Sequence, residues 1–138
     1  VNERTKIIVV NSPNNPTGTV YPLELLRDIA NLAEENGLYV FTDEVYSTLV
    51  YDKPFHSISE LYPAENLVIF NSFSKAFCMT GWRVGYVIGE PHFIKRLVKM
   101  QENVAVCVSS VSQWAALEAI THEQAQYLRD KYLWGKDV

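Results

Sequence analysis

The sequence predicts a single α/β unit in which helices cover a mostly parallel sheet. Its 138 residues are 48% hydrophobic, which is enough for one compact core and too few for two ordinary domains. Four short apolar runs have the length and composition of strands that are buried on both faces. Segments with helical spacing separate the first two runs and follow the last, a pattern typical of parallel sheets.

The first half of the chain predicts a strand, a helix and a second strand. The β-branched run Lys6–Asn11 is the first predicted strand, and a turn cluster rich in Pro, Asn and Gly follows it. Apolar residues recur at helical spacing over Pro22–Asn36, and Gly37 lies just beyond, so a helix is expected there. The second predicted strand is Leu38–Asp43, and residues 44–52 are expected to form a loop or a short helix.

The second half predicts two more strands and then helices. Leu67–Ser72 and Arg83–Gly89 are the third and fourth predicted strands. The link between them is short and lacks a long helix, whereas a parallel crossover needs about a dozen residues or more. We therefore expect the fourth strand to be antiparallel. An amphipathic stretch begins at Pro91, and helical patterns also cover Val111–Ile120 and Glu123–Leu133.

Charge, hydropathy and cysteine content argue against a nucleic-acid partner, a membrane partner and a metal site. The formal net charge is −4 without a basic block, so nucleic acid is not an expected partner. No apolar run has the length of a membrane span, and no signal-peptide pattern is seen. No membrane partner is therefore expected, and the cytoplasm is the expected compartment. Cys78 and Cys107 lack metal-ligand spacing, so no metal site is predicted.

Polar side chains follow the carboxyl ends of the predicted strands, where open α/β sheets bind ligands. They supply an amide, a carboxylate, a phenol, two hydroxyls and an amine: Asn15, Asp43, Tyr46, Ser72, Ser74 and Lys75. The guanidinium of Arg83, at the start of the fourth predicted strand, is a further candidate. A lysine amine forms a Schiff base with an aldehyde, and an arginine with hydroxyls holds a phosphate. A carboxylate pairs with a protonated ring nitrogen, and phenol and amide groups bind a phenolate oxygen. An aldehyde, a phosphate, a protonated ring nitrogen and a phenolate oxygen occur together in pyridoxal 5′-phosphate (PLP).

Four motifs, in order and spacing, resemble those of the class I and II aminotransferases of the fold-type I PLP-dependent family. They are NNPTG (Asn14–Gly18), DEVY (Asp43–Tyr46), SFSK (Ser72–Lys75) and GWRVGY (Gly81–Tyr86). The resemblance extends from about residue 7 to residue 120. It implies that residues 1–138 are the central part of the PLP-binding large domain, without the N-terminal part and the C-terminal small domain. It also implies an enzyme that transfers an amino group between an amino acid and a 2-oxo acid, as a homodimer when full length.

The resemblance implies a role for each candidate residue. Lys75 is the catalytic residue, which forms the Schiff base with PLP and moves the substrate proton. Asp43 pairs with the pyridinium nitrogen, while Tyr46 and Asn15 bind the phenolate oxygen.

The resemblance also implies how the phosphate and the ring are held. Ser72 and Arg83 bind the phosphate, with Ser74 as a further candidate, and Val45 packs on one face of the ring. The Asn15–Pro16 peptide bond is expected to be cis, a geometry that is inexpensive only before proline.

Each candidate also has a purely structural interpretation. A lysine after a strand is usually a solvated surface residue, and Asp43 is well placed to cap a helix. Asn15 fits any tight turn, and Arg83 fits a surface ion pair of little energetic value. The structural interpretations are strong one by one, but four motifs in the right order favour the cofactor site.

The motifs are also compatible with other functions of the same fold, because they bind the cofactor and do not select the reaction. These are a C–S lyase, a decarboxylase, a cyclopropane-forming synthase, or the PLP-binding sensor domain of a transcription regulator. A plain nucleotide-binding domain would carry G-x-G-x-x-G after the first strand, and NSPNNPTG lacks it.

Overall fold

The computed structural model describes residues 1–122, which form a four-stranded mixed sheet with helices on it. The strands are β1 (Ile7–Asn11), β2 (Tyr39–Asp43), β3 (Leu67–Ser72) and β4 (Gly85–Gly89), and they lie in this order across the sheet. β1, β2 and β3 are mutually parallel, and β4 runs antiparallel to β3. The α/β class and the antiparallel fourth strand are both confirmed.

The helices are α1 (Leu23–Glu35), α2 (Phe73–Ala76), α3 (Pro91–Val104) and α4 (Ser110–Thr121). The first, third and fourth confirm predicted helices, whereas the single turn α2 was not predicted. The helix expected at Glu123–Leu133 lies outside the described residues. Among residues 1–122, no helix has the length and apolar character needed to cross a membrane.

The main hydrophobic core lies between one face of the sheet and α1. Val10, Val40 and Leu67 project to this face from β1, β2 and β3, and each is at most 5% exposed. They meet Leu26, Ala30 and Ala33 of α1. Burial of each large aliphatic side chain contributes about 1.5–3 kcal/mol, so this contact holds α1 on the sheet.

The opposite face of the sheet is only partly covered within residues 1–122. Phe93 of α3 packs there against Tyr39 and Phe41, with ring centroids 5.8 and 5.7 Å apart. Side chains alternate between the faces of a strand, so Asp43 shares this face with Phe41. The carboxylate of Asp43 therefore stands at the carboxyl-end rim of the less covered face.

A second, smaller core joins the segment after β3 to α4. It consists of five buried residues: Phe73, Met79, Val84, Ala116 and Ala119. Two further aromatic rings pack against this core: the centroid of the Phe73 ring lies 5.5 Å from that of Phe77 and 5.7 Å from that of Tyr86. This cluster anchors α2, the turn that carries Lys75, on both sides of the lysine.

Candidate active site

The turn after β1 places the side chain of Asn15 at the rim. Backbone bonds close this turn, from Asn14 N–H to Thr19 O (2.9 Å) and from Gly18 N–H to Asn14 O (2.8 Å). Gly18 has a φ of +70°, a backbone conformation that glycine adopts without strain. The Asn15–Pro16 bond is cis, as expected, and Ser12–Pro13 is cis as well. The amide Nδ2 of Asn15 donates to the Tyr46 hydroxyl at 3.0 Å.

The carboxylate of Asp43 is held through both of its oxygens. Asn11 Nδ2 donates to Oδ2 at 3.1 Å, and the Val45 N–H donates to Oδ1 at 3.2 Å. Residues 45–48 form turns and not a helix, with a bond from Ser47 N–H to Glu44 O at 2.9 Å. Asp43 therefore caps a turn, and the expected loop is present.

Glu44, the next residue, points to the opposite side of the sheet. Its carboxylate Oε1 accepts from Ser57 Oγ at 2.6 Å and from Thr42 Oγ1 at 3.3 Å, and Glu44 is only 6% exposed. Burial raises the pKa of the Glu44 carboxyl above its usual value near 4.5, and this effect exceeds the lowering by the two hydrogen bonds. Glu44 therefore ties β2 to the segment around Ser57, away from Asp43.

We expect Glu44→Gln to stabilise the protein at neutral pH. A raised pKa means that the folded state binds the Glu44 proton more tightly than the unfolded state does, so stability falls as pH rises above 4.5. Glutamine keeps an acceptor for Ser57 and Thr42 and carries no charge. Chemical denaturation of the full-length protein should show a gain of about 1 kcal/mol at about pH 7 and none at about pH 4.

The same substitution at exposed Glu35 is the control for this measurement, and it should change stability little at either pH. A Glu44→Gln variant that is less stable than the parent protein at neutral pH would show that the ionised carboxylate is stabilising.

The end of β3 positions Ser72, Ser74 and Lys75. Ser72 Oγ accepts from the Ser74 N–H at 3.0 Å and lies 2.9 Å from Ser74 Oγ. This cap starts α2, which carries Lys75 half-buried between the buried residues Phe73 and Ala76. The Lys75 Nζ lies 5.6 Å from the centroid of the Tyr46 ring, within the range of a cation–π contact. The lysine amine and the tyrosine from the β2 end therefore meet.

Arg83 reaches the same end of the sheet through the turn before β4. Its φ is +52°, which is uncommon for a residue other than glycine, and its Nη1 donates to Thr80 O at 3.2 Å. The fourth strand begins at Gly85 and not at Arg83 as predicted, because this left-handed residue interrupts the extended backbone. The carbonyl of Val84 then accepts from Ser72 Oγ at 3.3 Å, so the arginine turn lies beside Ser72.

Gly85 permits this close approach of β4 to β3. A Cβ atom at this position would lie 2.7 Å from the carbonyl oxygen of Asn71, which is nearer than real contacts allow. Any side chain there would push β4 and the turn carrying Arg83 away from Ser72.

Direct contacts therefore join most of the predicted site residues in pairs. The recorded pairs are Asn15 with Tyr46, Tyr46 with Lys75, and Ser72 with Ser74. Asp43 and Ser72 both line a groove of about 440 Å³ on the less covered face. Arg83 is joined to Ser72 through the neighbouring carbonyl of Val84.

Sequence reasoning missed the part played by Asn11 and gave no role to the side chain of Asn14, the first residue of the NNPTG motif. Asn14 Nδ2 donates to Asn11 Oδ1 at 2.9 Å, and Asn11 in turn donates to Asp43. No local sequence signal marks this contact, because it depends on the parallel register that makes Asn11 and Asp43 partners.

Comparison with known proteins gives one consistent family. Residues 1–132 match the family described as "Aminotransferase class I and II". An aspartate/prephenate aminotransferase of Thermus thermophilus is 42% identical over 100% of this chain and 37% of its own length. An aspartate aminotransferase of Thermotoga maritima is 42% identical over 85% of this chain and 31% of its own length.

Solved structures agree with the sequence comparison. The aspartate aminotransferase from Thermus thermophilus with maleate superposes with a TM-score of 0.92 at 38% identity, over 98% of this chain and 35% of that one. An aromatic aminotransferase from Pyrococcus horikoshii gives a TM-score of 0.90 at 37% identity. The chain thus spans about a third of the length of the relatives that it matches.

Proposed function

Because the chain belongs to the class I and II aminotransferase family, we propose that it is the central part of the PLP-binding domain of an amino-acid aminotransferase. The substrates are an amino acid and a 2-oxo acid, and the full-length protein acts as a homodimer. The observation that carries the proposal is the meeting of the Lys75 amine with the Asn15–Tyr46 pair, at the rim where Asp43 and Ser72 line one groove.

The chemistry of these side chains fits PLP group by group. A carboxylate at the strand end suits a protonated ring nitrogen, and Asp43 has both oxygens oriented by donors. The Asn15 amide and the Tyr46 hydroxyl suit a phenolate oxygen. The Ser72 and Ser74 hydroxyls and the Arg83 guanidinium suit a phosphate, which arginine binds through two parallel hydrogen bonds. Lys75 supplies the amine for covalent attachment.

PLP, when bound, supplies an aldehyde for attachment to amines and a protonated ring that withdraws electrons from the substrate carbon. The protein's own groups do the rest. Lys75 Nζ takes the proton from the substrate α-carbon and returns a proton during transfer, as a general base and then a general acid. Asp43 holds the proton on the ring nitrogen through its negative charge. The tightly packed Phe73 keeps the lysine turn in place.

Trapping with borohydride tests the cofactor assignment. The full-length protein is incubated with PLP, reduced and digested, and the peptides are analysed by mass spectrometry. We expect one adduct, confined to Lys75, and no preference for Lys75 over the other lysines when the protein is first unfolded in denaturant. Adducts spread over many lysines, or no adduct on the folded protein, would contradict the assignment.

Product analysis tests the reaction. The PLP-loaded protein is mixed with aspartate, an amino donor suggested by the names of the relatives, and with other amino acids in parallel. We expect a 2-oxo acid to form from at least one donor and the amino group to pass to an added 2-oxo acid. A lyase would release ammonia, a decarboxylase would release carbon dioxide, and a sensor domain would bind without product.

A further inference from the structure

Asn11 and Asp43 form a side-chain pair across two neighbouring strands. Each residue ends its strand, and the parallel register places them side by side on the same face of the sheet. The amide Nδ2 of Asn11 donates to Asp43 Oδ2 at 3.1 Å, a bond between partly buried groups 32 positions apart in sequence. The Val45 N–H occupies the other oxygen at 3.2 Å. These two donors fix the rotation of the carboxylate about its last side-chain torsion, which is otherwise broad.

The orientation of the Asn11 amide is itself fixed by Asn14. Asn14 Nδ2 donates to Asn11 Oδ1 at 2.9 Å, so the nitrogen of Asn11 must face Asp43. Asn14 Oδ1 accepts from Thr17 Oγ1 at 2.8 Å, which orients the second amide in the same way. Three hydrogen bonds thus run in series from Thr17 to Asp43, and every donor and acceptor is correctly matched.

The turn does not need the bond from Asn11 to Asp43 in order to close. Its backbone is held by the bonds of Asn14 with Thr19 and Gly18, and Ser12 Oγ accepts from the Tyr21 N–H at 2.9 Å. The hydrogen bond from Asn11 to Asp43 therefore orients the Asp43 carboxylate at the rim more than it stabilises the turn. Asn15, which follows Asn14 directly, donates to Tyr46, so one segment orients two of the proposed cofactor contacts.

We propose that Asn11 is a positioning residue for the cofactor ring, which acts by holding the Asp43 carboxylate in the rotation that meets the ring nitrogen. Asn14 sets the direction of the Asn11 amide. This inference rests on the proposed function, because it assumes that Asp43 faces the nitrogen of bound PLP. The inference predicts that Asn11 strengthens the binding of PLP only when the cofactor ring carries that nitrogen.

Two substitutions at Asn11 distinguish the effect of its hydrogen bond to Asp43 from the effect of the shape of its side chain. Asn11→Leu has a similar volume and removes the hydrogen bond to Asp43. Asn11→Asp has the same shape, can still accept from Asn14, and places a second carboxylate against Asp43. Asn103→Asp is the control, because Asn103 is exposed on α3 and bonds only locally, to Lys99 O at 2.7 Å.

The measurement is the dissociation constant of two probes from the cofactor-free, full-length protein. One probe is PLP, and the other is an analogue in which a C–H group replaces the ring nitrogen. We expect Asn11→Leu to weaken PLP about 10-fold and Asn11→Asp about 100-fold, the range for lost hydrogen bonds to charged groups. The analogue should change less than about 2-fold in both variants, and the control should bind both probes as the parent protein does.

The outcomes are distinct. Equal weakening of both probes would show general damage to the pocket and would overturn the positioning role, as would unchanged PLP binding in both variants. If Asn11→Leu does not fold, the isosteric Asn11→Asp alone decides between these results. A parent protein that binds the analogue and not PLP, or neither probe, would overturn the proposed function and this inference with it.

Discussion

Replacement of Lys75 by alanine is expected to abolish the borohydride-stable adduct and to lower turnover by about 10⁴-fold or more, because general acid–base transfer alone contributes about 10²–10⁴-fold and covalent attachment is lost as well. The fold should survive. The side chain is only half-buried, its amine contacts the face of Tyr46, and the turn is anchored by Phe73 and not by the lysine.

The measurement for Lys75→Ala is steady-state turnover together with adduct mapping and thermal unfolding. Lys95→Ala, an exposed site on α3, is the matched control and should retain both the Lys75 adduct and activity. We expect the unfolding free energy of Lys75→Ala to change by less than about 1 kcal/mol. Parent-like turnover in a folded Lys75→Ala protein would refute the catalytic role.

Replacement of Asp43 by asparagine is expected to lower turnover by about 10²–10³-fold, the usual cost of losing a preoriented charge in an active site. The change removes the negative charge that holds a proton on the ring nitrogen. It also creates a local conflict, because the new amide must accept from Val45 through its oxygen and then turns an NH₂ group toward Asn11 Nδ2. Binding of PLP should therefore weaken along with catalysis.

Glu44→Gln is the natural control for Asp43→Asn, since it makes the same chemical change one residue away. Glu44 bonds to Ser57 and Thr42 on the other side of the sheet, so turnover should stay within about 2-fold of the parent protein. The measurement is the steady-state turnover of both variants under saturating PLP. Equal losses at the two positions would mean that the charge of Asp43 has no special role.

Much of the fold was predictable from local patterns. Each predicted strand is a continuous apolar run bounded by turn residues, and Leu67–Ser72 is observed as predicted. The site residues predicted at the ends of β1, β2 and β3 lie at one rim because these strands are parallel and their carboxyl ends share an edge. Arg83 reaches the same rim because β4 is antiparallel and begins there. That placement followed from topology and did not need any side-chain detail.

The remaining features depend on tertiary contacts that carry no local signature. Asn11 looks like any strand-ending asparagine until the register sets it beside Asp43. The late start of β4 depends on the left-handed backbone of Arg83. Neither feature follows from residue type or periodicity, because the first depends on the strand register and the second on the backbone conformation of one turn residue.

The opposite directions of Asp43 and Glu44 constrain how this protein can change over time. Side chains alternate strictly along a strand, so a slip of one position exchanges the faces of every residue in it. Loss or gain of a single codon within β2 would turn the buried glutamate toward the groove and the aspartate toward the side of Ser57. The number of residues in β2 can therefore change only in steps of two if both carboxylates are to keep their sides of the sheet.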